Sequence, residues 1–246
     1  MTQYESEFVK IPYYKLHPSY IPFVGNNYEA YRILQVSESH YCEKIVDRTK
    51  YGIAYFYDWF TTECGEIEQD LLGHNLTRSV CEDVMQNCSY PNFDNPLRSF
   101  CNIVLKAGGI NLSKYNNNRQ CYSHFAFMNF YQIPAFQNQG CFKTSYYTQA
   151  KREGIQNADR ILEKWQTEST RLIDQVIEIL EPRAIAFTSI DAWSSYEKCG
   201  GKYEKDDRII RSAHPNRPWY NVQNSLSGKT GKQAFEEGLE RIYGSL

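Results

Sequence analysis

The sequence predicts an α/β fold in which four parallel strands alternate with helices. Three observations carry this. Short apolar runs bounded by polar residues recur at 31–36 (YRILQV), 121–134 (CYSHFAFMNFYQIP), 183–189 (RAIAFTS) and 208–219 (RIIRSAHPNRPW, a strand running into a loop). Between the second and third lies 157–181, where Ile161, Trp165, Leu172, Val176, Ile177 and Leu180 form a helical stripe with charges between them. No repeat and no linker interrupts the chain, so residues 1–246 are expected to form one domain. Strands that alternate with helices pair in parallel through right-handed crossovers.

Composition narrows the class. The chain has 246 residues, of which 41% are hydrophobic and 15% aromatic, which is globular and excludes a disordered chain. With 14 Gly and 9 Pro it is not fibrous or of low complexity. No apolar run reaches the length that spans a bilayer, so no membrane protein is expected. The start, MTQYESEFVK, lacks the basic and apolar regions of a secretory signal, and the expectation is an intracellular, cytoplasmic protein. Its eight Cys are then reduced thiols, and none form C-x-x-C, so no metal site is expected. The net charge of −2 advertises no nucleic-acid binding, although local patches matter more than the total. Twenty Tyr supply core mass with a polar tip or platforms for stacking.

Taken in order, residues 1–30 contain three X-Pro steps in IPYYKLHPSYIPFVGNNY, which predict an extended arm wrapped over the body. The first strand, 31–36, breaks at SESHY (37–41) into a loop that starts a helix. YGIAYFYDWF (51–60) suits strand or helix. Residues 63–87 look helical in two pieces broken near Gly73, and 89–109 form a loop and then a helix ending at Gly108 and Gly109. Pro134 stops the second strand, and 135–158 is a polar loop region. Pro182 ends the long helix, a short helix follows at 192–198, and a final helix covers 232–246.

In open parallel sheets, functional groups gather at the carboxyl ends of strands. Here those ends carry Ser37-Glu38-Ser39-His40-Tyr41, Asn129, Thr188-Ser189 and His214-Pro215-Asn216. A carboxylate and an imidazole suit hydrolysis, one orienting water and the other stabilising a developing anion. An amide offers donor and acceptor together, which suits a base edge. A hydrolase using Ser37 or Ser39 with His214 is a rival, but the chain has no G-x-S-x-G elbow.

The succession of these segments resembles the uracil-DNA glycosylase superfamily. RILQVSESHY is similar to its strand and G-[QE]-x-P-[YG] loop, SFCNIVLKAGG to its S-L-x-N-I-x-K segment, and FAFMNFYQIP to its Asn-bearing strand. The stretch from Ile161 to Trp193 is similar to its helix, strand and turn, and IIRSAHPNRPW to its final H-P-S-type loop. The likeness runs through roughly residues 30–220. It implies a three-layer α/β/α sandwich around a four-stranded parallel sheet. It also implies a DNA repair hydrolase that cleaves the N-glycosidic bond of uracil or a related damaged base flipped from DNA. His214 matches the imidazole that hydrogen-bonds the departing base, and Glu38 the remaining carboxylate of the first motif. Asn129 matches the amide that reads uracil, and Tyr41, with Ser39 and His40, lines the base. Ser189, Asn216, Arg217 and Trp219 fall in the DNA-contacting turns. Arg217 and Trp219 are candidates for a wedge into the base stack beside the small, rigid Pro218. The alternative for Trp219 is packing against the protein. The expected partner is DNA, with the chain a monomer and no cofactor required.

The departures are specific. Ser37 and Ser189 stand where the family has Gly, Ser39 where several branches have Asp or Asn, His40 for Pro and Asn216 for Ser. No Cys precedes Cys42, so the early pair of the iron–sulfur branches is lacking. The altered first motif motivates a second reading, a member that binds nucleic acid without cleaving it.

Overall fold

Residues 3–41, 51–63, 81, 122–136, 141–214, 218–224 and 228–244 are described by the structure, a computed structural model. Its centre is a five-stranded sheet made of β1 (Phe23–Val24), β2 (Ile33–Tyr41), β3 (Phe125–Ala135), β4 (Ala184–Phe187) and β5 (Ile209–Arg211). The order across the sheet is β1-β3-β2-β4-β5. β2 runs parallel to β3 and β4, and β4 parallel to β5, whereas β1 pairs antiparallel with β3. The four anticipated strands are therefore present and mutually parallel. The fifth, β1, is a two-residue edge strand drawn from the N-terminal region.

Period-two alternation sorts the strand side chains into two buried clusters. Leu34, Val36, Met128, Ile185 and Phe187 pack with α5 (Ala158–Leu180). Ile33, Phe125, Ala184, Ala186 and Ile210 pack with Phe235 and Leu239 of α8 (Gly231–Tyr243). Consecutive residues such as Ile33 and Leu34 belong to different clusters, as the pleat requires. On the second face the small side chains of Ala184 and Ala186 sit beside α8. Gly238 lets the helix close on β5, because a Cβ there would stand 2.6 Å from a methyl of Ile210. α5 ends where expected: Glu181 adopts the left-handed conformation and Pro182 follows. All six residues of its anticipated stripe are buried. The short helix α6 (Ile190–Lys198) follows β4, with Ser189 as its N-cap.

Five expectations are corrected, the last of them at residues 51–60. The N-terminal region is not an extended arm: it forms α1 (Gln3–Phe8), α2 (Pro12–Leu16), a 3-10 turn (Pro18–Tyr20), β1 and α3 (Tyr28–Tyr31). Pro12 and Pro18 occupy first positions of helical turns, where a missing N–H costs nothing. The SESHY segment is strand, since β2 continues to Tyr41 in pairing with β3. β3 likewise runs past Pro134 to Ala135. Ser39 pairs with Tyr131 but Tyr41 with Ala135, so β3 carries two extra residues there, and an irregular ladder tolerates a proline. Within 135–158, residues Phe142–Glu153 form helix α4. Its buried stripe, Phe142, Ser145, Tyr146, Gln149 and Ala150, is too polar to stand out as an apolar repeat.

YGIAYFYDWF forms turns rather than strand or helix. Apart from Glu63 and Cys81, the helices anticipated at 63–87 and 89–109 lie outside the described residues. Among the described residues no helix is long and apolar enough to cross a membrane.

Candidate active site

Because β2, β3, β4 and β5 are parallel, their carboxyl ends share one edge of the sheet. Glu38 and Asn129 lie inside β2 and β3, three and six residues before their ends, but level with the residues that follow the shorter β4; Ser189 is two residues past β4 and His214 three past β5. At about 4.8 Å per strand, β3 and β5 are about 14 Å apart across the edge, and β2 and β5 about 10 Å. The half-buried His214 thus borders the same edge as Glu38 and Asn129.

Glu38 is 4% exposed and joins three elements. The backbone N–H of Phe142, at the start of α4, donates to its Oε1 at 2.6 Å. Ser189 Oγ donates to its Oε2 at 3.1 Å and itself accepts from the N–H of Ala192 at 3.3 Å. A carboxylate therefore sits at the N-termini of two helices, where exposed N–H groups and the macrodipoles favour negative charge. Both oxygens are engaged in holding α4 and α6 to β2.

Asn129 pairs in register with Ser37, and its Nδ2 donates to Nδ1 of the buried His40 at 3.2 Å. An imidazole that accepts at Nδ1 carries its proton on Nε2. The ring of Tyr20 meets His40 edge-on at 4.8 Å, so the N-terminal region walls this part of the site. Ser37 Oγ lies 2.9 Å from Thr188 Oγ1, which ties β2 to β4. The buried hydroxyl of Ser39 has no partner among the described residues. Only the backbone of Tyr41 is described, at the end of β2, and Asn216 and Arg217 lie outside the described residues. Trp219, on the single-turn α7 (Pro218–Asn221), is 54% exposed.

Sequence reasoning missed Cys141 and Asp191. Cys141 is the N-cap of α4 and Asp191 lies in the first turn of α6, so one flanks an unanticipated helix and the other looks like an ordinary first-turn acid. With Glu38 they bring three potential ligand atoms within 4.8 Å of one another. The bonding is that of a proton-sharing joint. The Cys141 thiol donates to Asp191 Oδ2 at 2.8 Å, and Lys143 Nζ lies 3.8 Å from Asp191 Oδ1. Burial, followed by the bond to Asp191, pushes the thiol up to about 11, so it is protonated at neutral pH. Two helix N-termini and a lysine oppose a cation there.

Glu38 and Ser189 are thus directly bonded, as are Asn129 and His40, while His214 is placed at the same edge by strand direction. Comparison with protein-family models, with curated proteins and with solved structures finds no match to this chain.

Proposed function

We propose that the chain is a glycosylase-like hydrolase that cleaves the N-glycosidic bond of uracil or a related damaged base flipped from DNA. The observation that carries this reading is the arrangement along one sheet edge. A carboxylate and an amide paired with an imidazole lie within β2 and β3, and a helix-capping Ser and a second imidazole follow β4 and β5, in the chain order that the resemblance requires. The layering supports it too, since α5 and α8 pack against opposite faces of the four parallel strands, as in a three-layer sandwich.

In this reading the glycosidic C–N bond breaks with its electron pair leaving on the base. Water supplies hydroxyl to the sugar carbon and a proton to the base. His214 donates a hydrogen bond to the departing anion. The charge of Glu38 stabilises the cationic sugar through space, because its oxygens already accept two protein donors. In this reading the exposed Trp219 fills the gap left by the flipped base.

A second reading, a DNA-binding member without catalysis, is favoured by one observation. Glu38, the remaining carboxylate of the first motif, is held by α4 and α6, and Ser39 supplies no replacement charge. The test is single-turnover release of base from uracil-containing oligonucleotides. Wild type should leave abasic sites, and His214→Ala should slow release about 10²–10³-fold with binding little changed. Binding without abasic product would establish the second reading instead.

A further inference from the structure

We propose that Gln132 is a specificity residue of this site, and that its side-chain carbonyl accepts an N–H of the bound base. The inference rests on the glycosylase-like reading and deepens it, because it names the group that reads the base and the donor that the base must present.

Gln132 lies in the irregular stretch of β3, where two extra residues interrupt pairing with β2. Such interruptions re-aim side chains and are common beside active sites. The residue is 1% exposed and tightly fixed. Its backbone carbonyl accepts from Tyr13 OH at 2.7 Å and from Trp59 Nε1 at 2.7 Å. Trp59 is held in turn, since its carbonyl lies 2.8 Å from His17 Nε2 and its ring stacks on His17 at 4.5 Å. The Gln132 amide nitrogen donates to the backbone carbonyl of Asn129. That fixes which way the amide faces, and its Oε1 is left as a buried acceptor without a partner among the described residues.

One rung away, Ser39 pairs in register with Tyr131, and its hydroxyl is likewise buried, at 7% exposure, and without a partner among the described residues. Buried polar groups are nearly always satisfied, and a fixed acceptor left open demands a donor from elsewhere. Asn129, which the resemblance assigns to the base edge, is tied to His40 through one amide N–H, and Gln132, whose own amide is anchored on the Asn129 carbonyl, lies next to it. A base carrying a ring N–H beside a carbonyl answers both open groups: its N–H bonds Gln132 Oε1, and its carbonyl accepts from Ser39.

The probes are free uracil and 3-methyluracil, in which the ring N–H is replaced by a methyl group. Binding of each to the full chain is measured by ligand-observed NMR, alongside release of uracil from DNA. Wild type should bind uracil about tenfold or more tighter than 3-methyluracil, the size expected when a site's buried polar group loses its partner. Gln132→Leu, similar in size but without the acceptor, should bring the two within about twofold, whereas a merely steric rejection of the methyl would persist. Equal binding of both probes by wild type, or discrimination that survives in Gln132→Leu, overturns the inference even if DNA is cleaved. Discrimination that needs Gln132 in a protein that releases no base upholds it and refutes the hydrolase. Neither binding nor release refutes both. The wild-type comparison stands alone if the variant does not fold.

Discussion

Removing the Glu38 side chain should unfasten two helices from the sheet. Glu38→Ala deletes the acceptor for the Phe142 N–H at 2.6 Å and for the Ser189 hydroxyl at 3.1 Å. Hydrogen bonds to a charged group contribute about 1.5–3 kcal/mol each, so the loss should be about 3–6 kcal/mol. That is a large share of the 5–15 kcal/mol typical of a domain. Glu38→Gln keeps one carbonyl acceptor and the shape, and should cost about 1–2 kcal/mol. The assay is urea unfolding at 25 °C, followed by circular dichroism and compared at unchanged denaturant slope. A Glu38→Ala loss below about 1 kcal/mol, the range of a solvated surface carboxylate, would refute the reasoning that both oxygens are structural. The conservative variant separates the roles. Near-native stability with a collapse of base release assigns the charge to catalysis, and unchanged release assigns it to architecture alone.

Three further outcomes are expected. Trp219→Ala, at an exposed position, should change stability by less than about 0.5 kcal/mol, yet slow base release from duplex far more than from single strands; equal losses would point to a damaged loop. The Cys141 thiol, pushed up to about 11, should alkylate slowly at pH 8 as read by peptide mass spectrometry, and Asp191→Asn, which removes an acceptor that raises it, should speed the reaction. Arg208 hydrogen-bonds Asp206 and holds its carboxyl below the usual range. That stabilisation is present above the unfolded value of about 3.9 and is lost as pH falls through the lower folded value, so Arg208→Met should flatten this part of the acid-unfolding profile.

The parallel strands and the long helix were legible because their signals are local: β-branched and aromatic runs, a 3.6-residue stripe and the stop at Pro182. The N-terminal region misled because Pro12 and Pro18 look like markers of extended chain, yet serve as first residues of helical turns. α4 was hidden because its buried stripe is built from Tyr, Ser and Gln, which bury their apolar parts while satisfying polar tips. The site was legible as an ordered set of residues on four strands and the turns after them, although Glu38 and Asn129 lie within β2 and β3 rather than at their ends. Its bonding was not. That Glu38 is held by Phe142 and Ser189, over 100 residues away, depends on how α4 and α6 dock. The extra residues of β3 around Gln132 depend on register with β2, which no local pattern encodes.

The central claim is that a base is received at the carboxyl edge of the sheet. The most direct measurement is photocrosslinking of the full chain to an oligonucleotide carrying 5-iodouracil, with crosslinked peptides mapped by mass spectrometry. The account predicts adducts in the segments that follow β4 and β5 and at the end of β2, with the exposed Trp219 foremost. Adducts confined to the opposite edge, around Arg183 and Tyr243, would contradict it.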